Sequence, residues 1–149
     1  MKNKVALVMG GGAGTGRATA LAFAREEAAV VIADVNEASG HETLSLVEAQ
    51  GGTGLFVSAD MGNAADVQAV IEQTRQVFGA LHMVSNNAAL GVANKPVTEL
   101  TEQEWDRCMA VTLRGVWLCM KYQLPLIEAS GGGAIVNVAS VSGIRGEAY

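Results

Sequence analysis

With 149 residues, half of them apolar and 5% aromatic, the chain is long enough to bury one core built mainly from Ala, Val and Leu. A net charge of −5 and an isoelectric point near 4.9 exclude the basic face that nucleic-acid binding requires. No Lys/Arg cluster flanks an apolar run, so a membrane is not an expected partner either.

The first apolar run, "KVALVMG" from Lys4 to Gly10, ends in glycines after a few residues. It is too short for the core of a secretion signal and no cleavage site follows, so it reads as the buried first strand of a cytoplasmic protein. From Thr15 to Glu27, Ala18, Leu21, Ala22 and Ala24 recur at helical spacing. "AVVIAD" (Ala29 to Asp34) is a second strand, followed by a helix from about Asn36 to Gln50. A third strand spans Gly54 to Asp60, a third helix Ala64 to Phe78, and "LHMVSNNAA" (Leu81 to Ala89) is a fourth strand. Beyond a loop holding Pro96, the longest helix runs from Thr101 to about Ala129. It opens on a capping box made by Thr101 and Glu104, and Pro125 is expected to bend it near its end. Cys108 and Cys119 lie on one side of this helix but about 16 Å apart along its axis, too far for a disulfide. Both are expected to be buried thiols in a reducing compartment. A fifth strand, about Ala134 to Ala139, follows three glycines.

Strands apolar on both faces, alternating with helices, specify a parallel sheet covered on both sides. Right-handed crossovers then favour a doubly wound α/β fold with five strands in the order 3-2-1-4-5, in a single domain over residues 1–149. The fifth strand would form an edge, yet "AIVNVA" carries no charge or proline to guard it. The domain is therefore expected to continue past residue 149.

"MGGGAGTGRATA" joins the first strand to the first helix. Gly10, Gly14 and Gly16 allow a sharp turn, close approach to a pyrophosphate, and tight packing of helix on sheet. The helix N-terminus then offers free N–H groups to the phosphates. Between a buried strand and an Ala-rich helix, this cluster is a Rossmann-type dinucleotide signal. Gly11 to Gly16 also has the glycine spacing of a P-loop, but Arg17 and Ala18 replace its lysine and hydroxyl, which argues against an ATPase. Asp34 ends the second strand. A carboxylate there accepts hydrogen bonds from the adenosine ribose and repels a 2′-phosphate. No basic residue stands beside it in "ADVNE" or at Ala13, so NAD is expected rather than NADP. A methyltransferase using S-adenosylmethionine could carry the same turn and acid, and these residues leave it open.

At this point the whole chain resembles the short-chain dehydrogenase/reductase family, with Met9 where the glycine motif usually has threonine. "SADMG" resembles the family segment whose acidic residue, here Asp60, lies near the adenine. "NNAA" (Asn86 to Ala89) resembles Asn-Asn-Ala-Gly with Ala89 in place of the glycine, and "WDRCMAVTLRGVW" resembles the long fourth helix. The resemblance implies coenzyme contacts from Gly10, Gly12, Gly14, Thr15 and Gly16, from Asp34, from Asp60 and Met61, and from Asn87, Ala88 and Ala89. It implies that Ser140 in "ASVSG", rather than its neighbour Ser142, hydrogen-bonds the substrate oxygen. Thr112 takes the place of an asparagine that holds a water in a proton relay. It offers a hydroxyl but no amide, and a helical threonine bonds equally well to its own turn. The family's Tyr-x-x-x-Lys pair is not matched: Tyr149 falls nine residues past Ser140, short of the family spacing, and reads as a loop residue. What the resemblance implies is hydride transfer between NAD and a secondary alcohol or ketone. The alternative is a truncated module that binds NAD without turnover. The helix "CMAVTLRGVWLCM", apolar almost all round, and the family's use of that helix imply a homo-oligomer. His41 and His82 lack metal-ligand spacing, and no metal is expected.

Overall fold

Side chains on both faces of the two central strands set the architecture. In the computed structural model, which describes residues 1–91 and 95–145, the strands are β1 (Val5–Met9), β2 (Ala29–Asp34), β3 (Gly54–Ser58), β4 (Met83–Asn86) and β5 (Ala134–Asn137). All pair in parallel, in the order β3-β2-β1-β4-β5. Because successive residues of a strand point to opposite faces, β1 and β2 feed two cores. Val8, Val30 and Ile32 pack with Ala20, Ala24 and Val47 from α1 (Gly14–Arg25) and α2 (Glu37–Ala49). Leu7, Met9 and Val31 pack on the other side with Val67, Val70 and Leu118 from α3 (Ala64–Phe78) and α5 (Gly115–Ala129). Fully burying a side chain of this size contributes about 1.5–3 kcal/mol, so the two cores hold helices on both faces. The sheet order and the layering agree with the sequence reading.

The elements differ from expectation mainly at their ends. β4 is shorter than Leu81 to Ala89, because the N–H groups of Asn87 and Ala88 both turn onto the Met9 carbonyl, each at 2.9 Å, which takes the chain out of the ladder. α1 stops at Arg25, and Glu27 beyond it has φ +61°, which no regular helix admits. The long helix is α4 (Glu102–Met109), a five-residue π-helical segment (Ala110–Arg114), and α5. The Thr101–Glu104 capping box is formed in both directions. The change in helical geometry comes at the π segment, and α5 runs through Pro125 to Ala129.

Buried polar groups at the β4 end are paired. Asn86 and Gln123 exchange side-chain amide hydrogen bonds at 3.2 and 2.8 Å, and Asn86 also donates to Asn137 Oδ1 at 2.8 Å. β5 lies at the sheet edge beside β4, with Val136 60% exposed and no charged residue along it. Cys119 is buried, and loss of solvation pushes its thiol up to about 12. Cys108 departs from expectation: it is only half-buried, its Sγ donating to the Leu90 carbonyl at 3.0 Å. Among the described residues, no helix is long and apolar enough to cross a membrane. Tyr149 lies outside the described residues.

Candidate coenzyme site

A cavity of about 310 Å³ opens at the C-terminal ends of the strands. It lies where the sheet order reverses on either side of β1, the place where open parallel sheets bind ligands. Its floor is the glycine turn. Gly10 has φ +76°, and a side chain there would stand 2.7 Å from the Ala88 backbone. A methyl group on Gly16 would overlap the Gly10 carbonyl, so α1 approaches the turn only because residue 16 is glycine. The Gly10 and Gly11 N–H groups donate to the Ala33 carbonyl at 2.7 and 3.1 Å. Asn87 Nδ2 donates to the Gly10 carbonyl at 3.2 Å. These bonds tie the end of β1 to its neighbours on both sides.

The N-termini of α2, α3 and α4 are capped by the side chains of Asn36, Asn63 and Thr101. That of α1 is not: Ala13 precedes it, and its first turn holds no acidic residue. The opening amides of α1 therefore keep their hydrogen-bonding capacity for an anion.

Two carboxylates line the cavity. Asp34 Oδ2 accepts from the Gly12 N–H at 2.8 Å and Oδ1 from the Asn36 N–H at 2.9 Å. Each oxygen keeps capacity for a further donor. Asp60 accepts the Gly62 N–H at 2.8 Å and pairs with the Arg107 guanidinium at 2.7 Å. Partial burial opposes its charge, but the Arg107 hydrogen bond, the Gly62 N–H and the Arg107 charge outweigh that. The Asp60 carboxyl is held below the usual carboxylate range.

The structure thus brings Gly10, Asp34, Asp60, Met61, Asn87, Ala88 and Ala89 around one cavity. Gly12 sits behind Asp34, and Gly16 behind Gly10. Gly14, at φ +51°, and Thr15 form the first turn of α1; Thr15 is exposed, and a side chain on Gly14 would meet nothing within 4 Å. Ser140 and Thr112 are not in the cavity wall. Ser140 lies just past β5, exposed, accepting the Ser142 N–H at 3.2 Å and donating to Ser142 Oγ at 3.1 Å. Of the two readings of Thr112, the bond back to its own turn is not made. Within the π segment its hydroxyl instead donates to the Leu90 carbonyl at 3.1 Å and accepts the Leu90 N–H at 3.2 Å. Arg107 and Val111 also line the cavity, and the sequence reading passed over both. Their spacing of four places them on one helical face, a signal present in the quoted segment but without indication of what that face meets.

The short chain dehydrogenase family model matches residues 4–149. A short chain dehydrogenase/reductase from Aspergillus oryzae is 42% identical over 144 residues, which are 95% of this chain and 55% of that protein. A cyclohexanol dehydrogenase from an Acinetobacter species is 40% identical over 145 residues, 97% of this chain and 57% of the relative. Among solved structures, levodione reductase superposes with a TM-score of 0.94 at 34% identity, covering 99% of this chain and 58% of that one. NAD+-bound xylitol dehydrogenase superposes with a TM-score of 0.93 at 27% identity, covering 98% and 56%. The chain spans little more than half the length of these relatives. Its glycine turn, parallel sheet and matched length make it a member of the short-chain dehydrogenase family.

Proposed function

We propose that the chain forms the coenzyme-binding part of an NAD-dependent oxidoreductase acting on a secondary alcohol or ketone. The observation that carries this reading is the Asp34 carboxylate. It lines the cavity with both oxygens anchored by backbone N–H groups and takes part in no salt bridge of its own among the described residues, while Arg107, the cation of the same wall, is paired with Asp60. A fixed anion of this kind accepts a ribose diol and opposes a 2′-phosphate. The uncapped start of α1 suits the diphosphate, and Val35 and Val111 give apolar walls for an adenine beside Asp60. The bound nicotinamide supplies the hydride donor or acceptor.

Ser140 is assigned to the substrate oxygen, for which its hydroxyl would leave Ser142. Thr112 is assigned to holding Leu90 in the cavity wall, since both hydrogen-bonding directions of its hydroxyl are committed there. Cyclohexanol, named for one relative, is a secondary alcohol, which supports the substrate class, and the NAD+-bound neighbour supports the coenzyme. The outer face of the long helix exposes Leu113 and Trp117, which supports a homo-oligomer built across it. The unpaired cysteines suit the cytoplasm.

Fluorescence titration of the chain with NADH, NADPH and S-adenosylmethionine tests the reading. NADH is expected to bind at least about tenfold (about 1.4 kcal/mol) tighter than NADPH, with no response to S-adenosylmethionine. Tighter binding of NADPH would overturn the coenzyme preference, and binding of neither nucleotide would overturn the site.

A further inference from the structure

Arg17 occupies the place where a P-loop would carry its lysine, yet it is not in the cavity wall. Its guanidinium turns away and is consumed elsewhere. Nε and Nη2 both donate to the Gly12 carbonyl, at 3.0 and 2.7 Å. Nε also reaches Thr43 Oγ1 at 3.0 Å, and Nη2 pairs with Glu42 at 2.5 Å. Thr43, fully buried, shares its one hydroxyl hydrogen between the Ser39 carbonyl at 3.0 Å and the same Gly12 carbonyl at 3.2 Å. The other side of Gly12 is just as constrained. Its N–H is on Asp34 Oδ2, and a side chain there would come within 2.8 Å of that oxygen and 3.1 Å of Ser39 Cβ. Gly12 is therefore gripped at its carbonyl by α1 and α2 and at its N–H by the carboxylate proposed to read the ribose.

We propose that Arg17 is a positioning residue for coenzyme choice: by holding the Gly12 carbonyl it keeps the Gly12 N–H on Asp34 and fixes the direction in which that carboxylate faces the nucleotide. This rests on the coenzyme reading above and adds to it a residue that does not touch the coenzyme. The physical ground is that a charge-assisted hydrogen bond orients well only when its donor is itself held. With the Gly12 carbonyl released, the Gly12–Ala13 peptide can turn, the freely variable φ and ψ of Gly12 relax, and the preceding peptide's N–H drifts from Asp34, which loses one of its two anchors. A loosened carboxylate accepts the ribose diol less well and repels a 2′-phosphate less directionally. The affinity for NADH falls while that for NADPH stays nearly constant.

The test is Arg17→Lys, which retains the charge but cannot place two nitrogens on one carbonyl. Fluorescence titration of the full chain should show NADH binding about five- to tenfold weaker and NADPH binding changed by less than about twofold. In an Asp34→Ala background, which has no carboxylate to orient, the same substitution should change NADH affinity by less than about twofold. Thr43→Val, which removes a second hold on the same carbonyl, should shift the NADH-to-NADPH ratio in the same direction and serves where Arg17→Lys does not fold. Equal weakening of both nucleotides would show a merely structural role and overturn the proposal, as would additive effects with Asp34→Ala. A wild-type chain that binds neither nucleotide overturns the coenzyme reading along with this one; wild-type binding with an unchanged ratio in the variants overturns this one alone.

Discussion

A methyl group at position 16 has nowhere to go, since the Gly10 carbonyl and Asn87 Nδ2 already fill that space. Gly16→Ala must push the turn away from β4, an overpacking strain of about 1–3 kcal/mol. NADH affinity is expected to fall at least about tenfold, and the melting temperature to drop by roughly 2–12 °C, at about 2–4 °C per kcal/mol for this chain length. An unchanged dissociation constant would contradict the close packing described for the turn. His82 provides a second test at this scale. Its Nδ1 accepts the Val5 N–H at 3.1 Å, so the ring is needed neutral, and burial followed by the nearby Lys4 charge lowers its pKa. Because the unfolded chain takes up the proton more readily, this contribution is complete above about pH 6.5 and is lost as the pH falls through the lower folded-state value. Thermal melts from pH 7.5 to 5 should show that loss in the wild type and a flatter profile in His82→Asn, which keeps an acceptor but does not titrate. Gly10, Gly16 and Asp34 were legible in the sequence because local chain direction and a strand end determine what they do. The orientation of Arg17 was not legible, since its partners Glu42 and Thr43 come from α2 and meet it only in the folded chain.

Among the elements, β4 and α5 are joined by a reciprocal amide pair, and that pair carries a measurable cost. Gln123→Leu would leave Asn86 Oδ1 buried without its donor, at about 1–3 kcal/mol. Differential scanning calorimetry should record a fall of roughly 5 °C. Adding Asn86→Val should restore at least about half of it, because an apolar pair has no unmet hydrogen bond; a further additive loss would contradict the pairing. Strand and helix existence was readable from periodicity in each case, as the match of α3 to Ala64–Phe78 shows. The π segment was not readable. One extra residue in a turn leaves the apolar pattern of "CMAVTLRGVW" intact and is set by contacts from outside, among them Thr112 on Leu90 and Gly115 against the Met61 carbonyl. The shortness of β4 was hidden for a similar reason: "NNAA" is compatible with a strand, and only the shared Met9 carbonyl turns it away.

For the whole molecule, alternation of apolar runs with helices and the rule of right-handed crossovers were enough to order the sheet. The site followed from that order, since the glycine turn, Asp34 and Asn87 can share a cavity only if β1 lies between β2 and β4. What charge and composition did not reveal was how the long helix closes that cavity, with Arg107 reaching across to Asp60. Among the described residues β5 forms one edge of the sheet, with Val136 exposed along it.

The two thiols differ in a way that makes the chain its own unfolding clock. Cys119, enclosed between α5 and the sheet with its thiol pushed up to about 12, reacts with an alkylating reagent only when the core opens, whereas the half-buried Cys108 needs only a local excursion of the segment around Leu90. Mass spectrometry over time should find one adduct early, on Cys108, and a second that appears at the rate of global opening and is hastened by Gln123→Leu. Simultaneous modification of both would mean that α5 parts from the sheet as easily as the loop moves.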